Sequence, residues 1–211
     1  MKALIVSGGK APSKHLLLES YKKADIIIGA DKGCEVLYQY NISPKYILGD
    51  FDSADNKIIA CMEANGCKKI KYKKEKDFTD TEIAFNLALE EGATEIILLG
   101  ATGTRYDHSL SNIGLMLKGL KKSIHVEIVD DNNRIFLCDK SMILRGNKGD
   151  IISFHAYCEI VKNFTIKNSK YDLLNYDLSL GDGLTTSNEF VGKDIKITFD
   201  SGIIMVIYSK D

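Results

Sequence analysis

The chain has 211 residues, 45% of them hydrophobic and 27% charged, with a formal net charge of −1. That length suits one large domain or two small ones, either able to bury a core. The balanced charge gives no electrostatic reason to expect nucleic acid or an anionic membrane as a partner. No apolar run reaches the length of a bilayer span, and the N-terminus runs into residues 3–6 without a signal-like segment. Five scattered cysteines with no Cys-x-x-Cys point to reduced thiols and a cytoplasmic location.

The first half alternates. Residues 3–7 read as a strand, Gly8-Gly9 as a tight turn and 12–23 as a helix with Leu16, Leu17 and Tyr21 inward. A second strand (26–29) leads through Asp31-Lys32-Gly33 to a helix ending near Tyr40. A third (46–48) leads to Leu48-Gly49-Asp50-Phe51-Asp52-Ser53 and a helix over 55–65, which Gly66 closes. Strand 69–72, helix 79–91, strand 95–99, helix 108–120 and strand 124–129 follow. The basic run from Lys68 to Lys74 reads as a solvated strand edge. Strands alternating with helices of this length predict an α/β domain with a mainly parallel sheet. The loops after its strands, which carry most of the polar motifs, should then gather at one edge.

After about residue 132 the pattern becomes short β-like segments: 134–138, 142–144, 150–155, 159–164, 171–174, 184–187, 194–199 and 203–208. An all-β antiparallel sandwich is expected, with domains 1–131 and 132–211. Asp200-Ser201-Gly202 between two alternating runs reads as a hairpin turn.

Asp50 and Asp52 lie two apart, so in extended chain both carboxylates point the same way. Their repulsion is relieved most simply by a hard divalent cation such as Mg²⁺, which favours phosphate oxygens as further ligands. Asp80 would bring a third carboxylate. Gly100–His108 offers two glycines, the Arg105 fork, Asp107 and His108 where a strand meets a helix N-terminus, a place suited to anions. Lys32 and Lys76 would neutralise further phosphate charge. The structural alternatives are an Arg105–Asp107 ion pair capping the helix and a capping or packing role for His108.

Asp31-Lys32-Gly33, Leu48–Ser53, Lys76–Asp80, Gly100–His108 and Thr185–Asn188 occur in this order and at these spacings. Together they resemble the thiamine pyrophosphokinase family over nearly the whole chain. The resemblance implies a nucleotide- and metal-binding α/β domain joined to a thiamine-binding and dimerisation sandwich, working as a homodimer with active sites shared between subunits. It implies transfer of pyrophosphate from ATP to thiamine, giving thiamine diphosphate and AMP with Mg²⁺. Carried over by position, Asp50, Asp52 and Asp80 handle the metal, Arg105 clamps phosphate and Asp107 lies near the reacting hydroxyl. Gly8, Gly9, Asp31, Lys32, Gly33, Lys76, Asp77, Thr79, Thr102, Gly103 and His108 face ATP. Thr186, Ser187 and Asn188 face thiamine, as does Phe190, which stands where some members carry a stacking tryptophan. A core role in the sandwich is the alternative for Phe190.

Two other functions compete. A haloacid-dehalogenase-like phosphatase also uses Asp-x-Asp after a strand, and Thr102, Lys121 or Lys122, and Asp130-Asp131 would have to fill its remaining motifs. It leaves Arg105–His108 and the β-rich half without a role. A non-catalytic thiamine or nucleotide sensor would be expected to lose one of the three carboxylates, and all three are present.

Overall fold

The structure, a computed structural model, describes residues 1–51, 56–72, 77–157 and 160–210. The chain divides into two compact units, Met1–Asp131 and Asn132–Asp211.

The first unit runs β1 (Lys2–Val6), α1 (Lys14–Tyr21), β2 (Ile26–Ala30), α2 (Gly33–Gln39), β3 (Tyr46–Gly49) and α3 (Asn56–Ala64). It continues with β4 (Lys68–Lys71), α4 (Asp80–Glu90), β5 (Glu95–Leu99), α5 (Tyr106–Lys121) and β6 (His125–Val129). All six strands pair in parallel, in the order β6-β5-β1-β2-β3-β4. Ala3, Leu4, Ile5 and Val6 are wholly buried, as a central parallel strand covered on both faces requires. On one face Leu4, Val6, Ile47 and Leu99 pack with Leu17, Cys34, Leu37 and Ile59 from the helices. Burial pushes the Cys34 thiol up to about 12, an inert packing thiol. The basic β4 is the exposed edge.

The helix starts explain their bounds. Ser13 caps α1 by accepting from Leu16 N–H, and Thr79 caps α4 by accepting from Glu82 N–H. α5 begins two residues earlier than its apolar periodicity suggests. Arg105 thereby becomes its cap residue, and Asp107 falls in the first turn, where the helix dipole favours a negative charge.

The second unit holds β7 (Asn133–Cys138), β8 (Met142–Leu144), β9 (Ile151–Ala156) and β10 (Val161–Lys167). Next come β11 (Leu173–Leu178), β12 (Asn188–Glu189), β13 (Ile195–Thr198) and β14 (Ile204–Ser209). Antiparallel pairing gives one set in the order β12-β9-β14-β7 and a four-stranded sheet β11-β10-β13-β8. Their inner faces share one core, with Phe154 edge-on to Phe164 at 5.6 Å between centroids.

The expected hairpin at Asp200-Ser201-Gly202 is not formed. β13 pairs with β10 and β8, whereas β14 pairs with β7 and β9, so these residues cross from one sheet to the other. Ser201 bridges to Lys162, and Gly202 adopts φ +106° where a Cβ would lie 2.8 Å from Ile160 O and from Val161 Cα. Here the glycine serves a close crossing of chains rather than a two-residue turn.

Candidate active site

Strands β1 to β4 are laid down in one direction from β1, and β5 and β6 lie on its other side. The order therefore switches between β1 and β5, where a crevice opens beyond the carboxyl ends of the strands. The loops after these two strands are tied together there. Ser7 N–H donates to Leu99 O, Gly9 N–H to Gly100 O and Lys10 N–H to Thr102 O, at 2.7–2.8 Å. Glycine is required by this closeness: a Cβ at Gly9 would lie 2.3 Å from Thr102 O, and one at Gly100 only 2.4 Å from Ser7 O. The expected tight turn at Gly8-Gly9 is thus a pair of interlocked loops.

A cavity of about 1100 Å³ fills the crevice. Gly8, Gly9, Asp31, Lys32, Thr79, Asp80, Thr102, Gly103, Arg105 and His108 line it. Ten of the residues expected from sequence are therefore brought to one cavity. Thr102 Oγ1 also donates to Asp130 Oδ2 at 3.3 Å, which anchors the second loop to the end of β6.

The acidic residues gather beside it. Asp31 follows β2 with φ +52°, and its N–H donates to Leu48 O, which sets it next to the end of β3. A Cβ at Gly49 would lie 3.5 Å from Asp31 Cα and 3.8 Å from Asp80 Oδ1, and one at Gly8 would lie 2.8 Å from Asp31 Oδ2. Burial, then the carboxylates of Asp80 and Asp50, push the Asp31 carboxyl above its usual range, against the Lys32 N–H it accepts. Three carboxylates, Asp31, Asp50 and Asp80, thus form one electrostatic group. Asp31 was expected only as a nucleotide contact. Its place among the carboxylates depends on the β2–β3 register, which no local pattern reveals. Among the described residues no group of three or more His, Cys, Asp or Glu has metal-binding geometry. Asp52 and Lys76 lie outside the described residues.

Arg105 reaches Asp107 in two-pronged fashion, Nη2 to Oδ2 at 2.5 Å and Nε to Oδ1 at 3.2 Å. Both side chains are largely exposed. The guanidinium, chiefly through its hydrogen bonds, holds the Asp107 carboxyl down at about 2. The local ion pair is thus formed in this state, and Asp107 does not line the cavity.

Other residues are missed by sequence reasoning. Ser7 and Thr81 are buried and line the cavity, joined by a 3.0 Å bond between hydroxyls. Phe78 is 52% exposed and Tyr106 81%, and both stand at the cavity as open aromatic faces. Asn112 lines it from α5, one turn after His108. That i, i+4 spacing was a legible signal of a shared face.

Several expected contacts lie elsewhere. Gly33 is outside the cavity lining: a Cβ there would lie 1.9 Å from Val6 O, so the glycine lets α2 start against β1. Asp77 is exposed and does not line the cavity. In the second unit Thr186 and Ser187 are exposed, with Ser187 N–H donating to Ser153 Oγ. Asn188 is buried, and its amide is spent on the chain itself. Oδ1 accepts from Tyr171 N–H and Glu189 N–H, and Nδ2 donates to Tyr171 O and Ser169 Oγ. Phe190, expected as a pocket wall, is wholly buried. Its ring stacks on Tyr208 at 5.9 Å, and a Cβ at Gly146 would lie only 2.7 Å from it. No ring face is left for a ligand, so Phe190 is a core residue of the sandwich.

Glycine-walled loops beside clustered carboxylates at the switch point of a parallel sheet are an arrangement suited to nucleotide phosphates. Comparison with known proteins is specific. Residues 17–128 match the family model for the thiamin pyrophosphokinase catalytic domain, and 140–204 match its vitamin B1 binding domain. The chain is 35% identical over 186 residues to thiamine pyrophosphokinase of Bacillus subtilis, covering 87% of each. The crystal structure of the Bacillus subtilis thiamine pyrophosphokinase superposes with a TM-score of 0.88 at 32% identity, covering all of both chains. That of an Enterococcus faecalis thiamin pyrophosphokinase family protein gives 0.86 at 28%, again over all of both. The chain belongs to the thiamin pyrophosphokinase family.

Proposed function

We propose that this chain transfers the pyrophosphoryl group of ATP to the hydroxyl of thiamine, releasing AMP. The observation that carries the proposal is the carboxylate group facing glycine-walled loops at the sheet's switch point, in a chain of this family. A bond forms between the thiamine oxygen and the β-phosphorus, the bond from that phosphorus to the AMP oxygen breaks, and the hydroxyl proton passes to a base. Such a step needs in-line placement, neutralised phosphate charge and exclusion of water.

The residues present fit Mg²⁺. Hard carboxylate oxygens match the ion, which commonly binds through one or two carboxylates plus substrate phosphates and keeps several waters. Burial is the main cause that raises Asp31, the charges of Asp80 and Asp50 add to it, and a cation would relieve that mutual repulsion. Asp50 and Asp80 would hold it, with Asp52 as the further ligand implied by sequence. When bound, the ion supplies positive charge to the phosphate oxygens.

The chain's own residues do the rest. Gly8, Gly9 and Gly103 let backbone approach the phosphates, and Lys32 adds positive charge. Arg105 exchanges Asp107 for phosphate oxygens, and the released Asp107 carboxylate regains its ordinary affinity for a proton beside the acceptor hydroxyl. Thr186 and Ser187, both exposed, meet thiamine bound to a second subunit, so the working form is a cytoplasmic homodimer. The phosphatase alternative wants its Asp pair after the first strand, whereas Asp50 follows β3.

Incubation with ATP, Mg²⁺ and thiamine tests the proposal. AMP is the expected nucleotide product; ADP or free phosphate in its place would overturn it.

A further inference from the structure

Asn112 is 5% exposed, on the side of α5 that faces the cavity. Its Nδ2 donates to Ala101 O at 2.7 Å. A carbonyl oxygen only accepts, so this bond fixes the amide: Nδ2 toward the loop, Oδ1 away from it. Among the described residues no group donates to Oδ1. Yet no buried side-chain oxygen or nitrogen among them lacks a partner. Oδ1 is therefore not sealed in the core, and the cavity is the accessible space that Asn112 borders.

We infer that Asn112 Oδ1 accepts a hydrogen bond from the nucleoside part of ATP and is a specificity-determining residue for the nucleotide. The inference rests on the proposal that this cavity binds ATP. The triphosphate cannot be its partner, because ionised phosphate oxygens only accept. Thiamine's hydroxyl is a donor too, and Asp107 of the same helix is placed beside it, so a raised KM for thiamine in Asn112→Ala with all nucleotide ratios unchanged would overturn the inference. The nucleoside of ATP offers three donors: the 2′-hydroxyl, the 3′-hydroxyl and the 6-amino group. A nearly buried acceptor left without its partner is costly, so a nucleotide lacking the matching donor is rejected.

The test compares ATP with 2′-deoxy-ATP, 3′-deoxy-ATP and the triphosphate of the 6-unsubstituted purine ribonucleoside, by Kd and by kcat/KM with thiamine. With the wild-type protein one analogue is expected to bind about tenfold more weakly than ATP. Asn112→Ala is expected to bring that ratio to within about twofold of unity while leaving the other two ratios unchanged. Equal weakening of all four nucleotides would mean that Asn112 only holds the Ala101 loop, and would overturn the inference. Asn112→Ser, read the same way, serves if the alanine variant does not fold. The wild type alone can also refute it, by binding all three analogues within about twofold of ATP. A wild type that binds none of the four refutes the ATP proposal itself, a result distinct from equal binding.

Discussion

Truncation of Phe190 separates a core role from a pocket role. The ring is wholly buried, stacks on Tyr208 with 20° between planes, and lies so close to Gly146 that a methyl group there would collide with it. Phe190→Ala should cost about 3–5 kcal/mol through lost burial and the cavity left behind. For a chain of this size melting as one unit, that is a fall in Tm of roughly 6–20 °C, and more if the sandwich melts by itself. Phe190→Trp should also destabilise, by about 1–3 kcal/mol, since the added ring atoms meet a packed core. Differential scanning calorimetry reads the Tm, and initial rates on the folded fraction read the KM for thiamine, which should not change. An unaltered Tm with a raised KM for thiamine would refute the packing argument and return Phe190 to the substrate pocket.

Asp50→Asn and Asp80→Asn should each lower turnover by at least about a hundredfold in saturating Mg²⁺ while Tm stays nearly constant, because these carboxylates serve ligand charge rather than a core; wild-type rates would remove that residue from the site. Asp107 should titrate near 2 by carboxyl NMR, below its ordinary 3.8, and Arg105→Ala should move it back up. Because the folded-state value is the lower one, whatever stability the pair adds is complete above pH 3.8 and lost as pH falls toward 2. Titration at the ordinary value with Arg105 intact would break the ion pair as drawn. Sedimentation should find a dimer at assay concentration, and a fully active monomer would contradict shared sites.

Much of the fold is legible in the sequence, for local reasons. The parallel sheet announces itself as uninterrupted apolar runs such as Ala3–Val6, each followed by glycine or aspartate and then a helical period. Because every loop after a parallel strand opens at the same edge, Gly8, Asp31, Asp80 and Arg105 can be gathered from their positions in the chain alone. What local pattern misses is non-local. Asp200-Ser201-Gly202 signals a reversal, but no turn residue says whether the next strand rejoins its own sheet or crosses to the other. Motif position assigns Phe190 to the substrate, although Asn188 and Phe190 alternate about Glu189 as two inward residues of an extended segment. Asp31 joins the carboxylates through its hydrogen bond to Leu48, which follows from strand register. Asn112 is legible in its spacing from His108 but passes for an ordinary helix residue.

The central claim, that two phosphates leave ATP together, is tested most directly by labelling. With ATP labelled at the β-phosphorus, the label should appear wholly in thiamine diphosphate, at the phosphorus bonded to the thiamine oxygen, with none in AMP. Label retained in ADP, or appearing as free phosphate, would contradict it.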